Sequence, residues 1–219
     1  MTALLIRAPA RRIDLGVPAR RVDRGGAAGG GVTAPLTRAR PGAAWGLALA
    51  GCAALLARPS LLPDGADPTA RLVGLFAALG LVGAFWPTGA ARLLAPRRVA
   101  FLALALGSAA FVAGRFATGG LAAAHPWFVR SLVLNALAAV AEEAFFRRLV
   151  YDLLARHGDA AAIAGSAALF AVVHVTVWGW WVLPLDLAAG LLLSWQRSVS
   201  GRWSVPAFTH VLANTLALV

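Results

Sequence analysis

Lysine is absent from this chain, glutamate occurs only twice, and cysteine, methionine and tyrosine occur once each. The lone Cys52 excludes an internal disulfide and any paired-thiol redox or metal motif, and reads as a small core residue. Charged residues make up 13% of the chain against 60% hydrophobic, with a mean hydropathy of +0.75, outside the balance of water-soluble domains. What is left is an integral membrane protein. The net charge of +11 rests on arginine alone. Beside so much alanine and glycine that usage reflects base composition, so no nucleic-acid partner is expected.

Residues 1–41 form a flexible basic tail with a glycine-rich run, too polar to bury a core and suited to lie on anionic membrane lipid. Its first apolar stretch, residues 3–6, is too short for a signal peptide. The rest divides into uncharged runs at 42–57, 72–91, 99–114, 128–147, 160–182, 184–196 and 203–219. The expected fold is all-α, a polytopic transmembrane bundle of about seven helices, with 42–126 as N-terminal membrane helices and 127–219 as a catalytic core. Residues 119–126, glycine at one end and proline at the other, read as a loop or re-entrant segment. Arginine distribution places the tail on the cytoplasmic side of the membrane, with Arg92, Arg97, Arg98, Arg148, Arg156, Arg197 and Arg202 on that side. Arg58, Arg71, Arg115 and Arg130 then lie outside, diluted by Asp64 and Asp67. Trp178, Trp180 and Trp181 suit an interfacial belt.

Both glutamates of the chain, Glu142 and Glu143, are adjacent inside an apolar run. A carboxylate at membrane depth costs about 2.5–3.5 kcal/mol on insertion scales, so it normally faces a bundle interior and has a partner. Arg147, four residues after Glu143, stacks on the same helix face and supplies an ion pair. Alone, these residues would equally suit a solvated cluster at a helix end. Two further segments point elsewhere. His174 lies deep in the run 160–182 with Phe170 one turn before it, and His210 and Asn214 stack four apart on the last helix. Polar groups on three helices are least costly when they share one interior cavity with water. A carboxylate beside a histidine can hold a water and take its proton. A second histidine and an amide are donors for the oxyanion of an attacked carbonyl. Together they describe peptide-bond hydrolysis within the membrane.

The three motifs in order, E-E-x-x-x-R (Glu142, Glu143, Arg147), F-x-x-x-H (Phe170, His174) and H-x-x-x-N (His210, Asn214), resemble the glutamic intramembrane endopeptidases of the CAAX-protease and bacteriocin-processing family. Residues 200–210 are also similar to that family's approach to its last motif, and the resemblance covers roughly 127–219. It implies that Glu142 activates water with His174, that His210 and Asn214 stabilise the oxyanion, and that Glu143, Arg147 and Phe170 support the site. It implies catalysis with no metal and no cofactor on a membrane protein or lipid-anchored peptide. Bacterial members of the family serve bacteriocin self-immunity or cleave C-terminal sorting signals.

Two other readings compete. A zinc protease would use the same histidines and glutamates, but H-E-x-x-H is missing and asparagine is a poor zinc ligand. A transporter or immunity scaffold would use buried ionisable groups for proton relay or packing; no inverted repeat is evident in the sequence. Asn135, two turns before Glu142, is expected to serve helix packing, and Asp186 to mark a loop or helix start.

Overall fold

Long uninterrupted apolar runs of alanine, leucine and valine satisfy their backbone in lipid as α-helices, because no water is present to bond a free N–H or C=O and the alternating short segments of a closed barrel are missing from them. The computed structural model describes residues 41–61, 67–87, 93–119 and 128–219. Residues 1–40 of the basic tail, the 120–126 segment, Asp64 and Arg92 lie outside the described residues. The described chain is all-α. It runs through α1 (Pro41–Leu56), a 3-10 turn (Arg58–Leu61), α2 (Thr69–Phe85), α3 (Arg97–Ala117) and α4 (Phe128–Glu143). Helix α4 passes without a break into a π-helical stretch (Ala144–Val150) and the short α5 (Tyr151–Leu154). Then follow α6 (Asp159–Trp178), α7 (Leu183–Ser200) and α8 (Ser204–Leu216). With α4, the π stretch and α5 taken as one rod, seven helices stand among the described residues, as the sequence led us to expect.

Several boundaries differ from the sequence reading, each for a local reason. α2 ends at Phe85, short of 91, where Pro87 follows Trp86. α6 stops at Trp178 because Gly179 takes φ +86, and a 3-10 turn, Trp180–Val182, replaces its last residues. α7 continues to Ser200 rather than 196 and closes on Gly201 at φ +69, a left-handed C-cap. Arg197, expected in a cytoplasmic loop, is instead buried within α7. Its Nη2 lies 2.9 Å from Asp152 Oδ1, so a counter-charge makes the burial tolerable.

The rod is the centre of the fold, and α2 crosses it closely. A Cβ on Gly83 would collide with the backbone of Ala144 and Phe145, and one on Gly80 would stand 3.4 Å from the Cα of Ala141. Small residues permit this approach, as they do wherever membrane helices touch backbone to backbone. We expect Gly83→Val to force α2 off the rod and cost about 1–3 kcal/mol. A thermal unfolding scan of the purified protein checks this, and an unchanged midpoint would contradict the packing. The core beside this crossing joins Leu55, Phe76, Leu79, Phe145, Phe146 and Phe170. Its phenyl rings meet edge to face, Phe145 to Phe146 at 5.0 Å and Phe146 to Phe170 at 5.6 Å between centroids.

The outer surface is apolar. Phe101, Leu102, Leu106 and Phe116 of α3 are exposed, and so are Trp178, Trp180 and Trp181 at the end of α6. Lipid is the partner such a surface fits. By length and composition α3 and α6 can each cross a bilayer, and α1 and α2 are shorter apolar helices.

Candidate active site

The EE pair stands where α4 turns into the π-helical stretch, a widening of the helix often found at functional sites. Two carbonyls of that stretch accept side-chain donors from neighbouring helices. Ser166 Oγ reaches Phe146 O at 2.9 Å, and Arg197 Nε reaches Arg147 O at 2.8 Å. The stretch is thereby tied to α6 and α7. The side chains it carries are not solvated: Glu142 is 3% exposed, and Glu143 and Arg147 are fully buried. That excludes the helix-end cluster which the motif alone would have allowed.

A cavity of about 410 Å³ opens beside the rod, and Glu142, Phe170, His174, His210 and Asn214 all line it. Three motifs separated in sequence thus meet in one place. Glu142 Oε2 faces His174 Nε2 at 3.8 Å, and its other oxygen takes Arg58 Nη1 at 3.4 Å. His174 Nδ1 lies 2.7 Å from Phe170 O, one turn back along α6. A carbonyl oxygen can only accept, so Nδ1 carries the hydrogen and the neutral ring presents a lone pair at Nε2. Glu142 Oε2 and His174 Nε2 are then two acceptors side by side. Water, with two O–H groups, can donate to both.

Behind the cavity wall Glu143 serves as the junction between two helices. Its Oε1 lies 2.9 Å from His210 Nδ1 on α8, and its Oε2 lies 3.2 Å from Arg147 Nε. The Arg147 guanidinium stacks 4.5 Å from the Phe170 ring centroid and reaches Gly190 O at 3.4 Å. Close approach of α6 and α7 is possible there because a Cβ on Gly190 would stand only 3.0 Å from the Cα of Ala167. The Phe170 ring is itself wedged between the two imidazoles, 4.7 Å from His174 and 5.5 Å from His210. Asn214 Nδ2 donates to Asn135 O at 3.3 Å, linking α8 to α4. Asn135 also lines the cavity, although its own amide bonds back to Ser131 O at 2.8 Å.

Sequence reasoning missed Arg58 and Asp186, both of which line the cavity. Asp186 sits in the first turn of α7, as a helix-start residue should, but its Oδ2 also lies 3.8 Å from His174 Nδ1. A signal existed: Asp186 is the one acidic residue between His174 and His210. Nothing local marks Arg58, which was expected in an outside loop. The 3-10 turn after α1 folds it inward, against the Phe76 ring at 6.0 Å. Arg130 instead meets Asp67 and Thr69. Hydrogen bonds from the Thr69 hydroxyl and amide, and then the Arg130 charge, hold Asp67 below the usual carboxylate range.

Among the described residues no three histidine, cysteine, aspartate or glutamate side chains are grouped so as to hold a metal ion. Residues 124–216 match the family described as type II CAAX prenyl endopeptidase, Rce1-like. No curated protein and no solved structure matches the chain.

Proposed function

Because its C-terminal segment, residues 124–216, belongs to the Rce1-like family of type II CAAX prenyl endopeptidases, we propose that this protein is a glutamic intramembrane endopeptidase. Its substrate is a protein held at the membrane, and the bond cut is a peptide bond. The observation that carries the reading is the pair of acceptors, Glu142 Oε2 and His174 Nε2, 3.8 Å apart on a cavity that His210 and Asn214 also line.

A water donating to both acceptors turns a lone pair toward the substrate carbonyl. As its oxygen attacks the carbon, one proton passes to the Glu142–His174 pair, and negative charge gathers on the carbonyl oxygen. His210 and Asn214 supply donors for that oxygen. With Nδ1 engaged by Glu143, His210 donates from Nε2 when its ring carries both protons, and Glu143 is the counter-charge that this form requires. The C–N bond then breaks, the leaving amine takes the proton back from the pair, and the new carboxylic acid gives its remaining water proton to solvent as the carboxylate and the amine depart. Glu143 and Arg147 hold the π stretch and His210 in register. The multi-pass arrangement, with the basic tail in the cytoplasm of a bacterial plasma membrane, belongs to the same reading, as does the division into N-terminal helices at 42–126 and a catalytic core at 127–219.

The test is to reconstitute the protein in lipid vesicles with a library of membrane-anchored peptides and to read new C-termini by mass spectrometry. Cleavage is expected to persist within about twofold after a metal chelator is added, since the chemistry asked of Glu142 and His174 is proton transfer. Loss on chelation, restored by zinc, would replace this mechanism with a metal-dependent one.

A further inference from the structure

Beyond the residues the three motifs provide, a row of side chains crosses the cavity, each from a different element: Arg58 from the turn after α1, Glu142 from α4, His174 from α6 and Asp186 from α7. The spacings along it are 3.4 Å, 3.8 Å and 3.8 Å. His174 is therefore flanked by a carboxylate at each ring nitrogen. Glu142 faces Nε2, and Asp186 faces Nδ1 beside the carbonyl of Phe170. Asp186 Oδ2 is buried and makes no hydrogen bond among the described residues, and it faces the imidazole edge at 3.8 Å.

We propose that Asp186 is a positioning residue for the hydrolytic reaction: with the Phe170 carbonyl it keeps the His174 hydrogen on Nδ1, so that the Nε2 lone pair stays turned toward Glu142 and the water between them. This rests on the hydrolytic reading of the site. The physical reason is that an imidazole with its hydrogen on Nε2 would turn a lone pair toward two acceptors at Nδ1 and a donor toward Glu142, leaving the water one acceptor instead of two. The Asp186 carboxylate, 3.8 Å from Nδ1, adds to the choice that the carbonyl hydrogen bond makes, because negative charge beside that edge favours an N–H there over a lone pair. When His174 takes up a proton during turnover, Asp186 also stands ready as its counter-charge. Besides the row itself, His210 lies across the Phe170 ring from His174, and the Arg147 guanidinium stacks on that same ring.

The experiment compares wild type, Asp186→Asn and Asp186→Glu as full-length protein labelled with nitrogen-15 in histidine, using His174→Gln to assign the ring signals. In wild type the neutral ring is expected to hold its hydrogen on Nδ1. In Asp186→Asn the Nε2–H form gains several-fold, and Asp186→Glu restores the wild-type ratio. On whichever anchored peptide the wild type cleaves, Asp186→Asn lowers kcat by about 10–100-fold, less than the roughly 10⁴-fold seen where such a carboxylate is directly hydrogen-bonded to the histidine, with KM nearly unchanged. Asp186→Glu recovers part of the loss. An unchanged tautomer ratio, or a changed ratio with kcat within twofold, overturns the proposal while leaving the hydrolytic reading intact. If wild type cleaves no peptide at all, the hydrolytic reading fails and this role for Asp186 falls with it, whatever the tautomer.

Discussion

Glu142→Gln lowers the rate of peptide-bond cleavage by about 10³-fold or more, near the upper part of the range for losing a general base. The amide keeps the shape of the carboxylate and can accept the Arg58 hydrogen bond through its oxygen, so the cavity and the fold survive. What it cannot do is take a proton from water. It also turns one acceptor of the Glu142–His174 pair into a group that can present N–H to the nucleophile. Binding of substrate is expected to change little, so the loss falls on kcat rather than KM. Kinetics of the reconstituted variant on a cleaved peptide check this. Activity within tenfold of wild type would remove Glu142 from the reaction.

Arg147→Met is expected to be the most damaging substitution for stability, at about 3–5 kcal/mol, the cost of leaving a buried charge without its partner. Arg147 and Glu143 are both fully buried and 3.2 Å apart. Removing the guanidinium strands the Glu143 carboxylate with His210 alone and takes away the cation that stacks on Phe170. The double variant Glu143→Gln with Arg147→Met removes both charges, so it should unfold at a higher temperature than Arg147→Met alone. Thermal unfolding in the same detergent measures both. Equal midpoints for the single and double variants would mean that the pair is not what holds this part of the rod.

Much of this site was legible because lipid makes polar residues conspicuous. A glutamate pair, two histidines and an asparagine in uncharged runs have few places to go, and the cavity that gathers them is the arrangement their cost implied. The bundle was legible for the same reason, since a long uninterrupted apolar run in hydrocarbon satisfies its backbone as a helix. What the sequence hid were features created by tertiary packing. The π-helical stretch after Glu143 has no turn residue or proline to announce it, and it is tied down by Ser166 and Arg197, which lie 20 and 50 residues beyond the groups they bond. Arg197 looked like a loop charge because its partner, Asp152, is distant in sequence. Arg58 looked like another, 84 residues before the carboxylate it meets. Counting arginines for orientation treats each as solvated, and that assumption fails where a fold turns them inward.

The central claim is that water held by Glu142 and His174 attacks an amide inside the membrane. Its most direct measurement places membranes containing wild type or Glu142→Gln in oxygen-18 water and reads protein C-termini by mass spectrometry. The account predicts a membrane-protein fragment whose new carboxylate carries the heavy oxygen with wild type and is missing with Glu142→Gln. If no labelled C-terminus depends on Glu142, the account is contradicted.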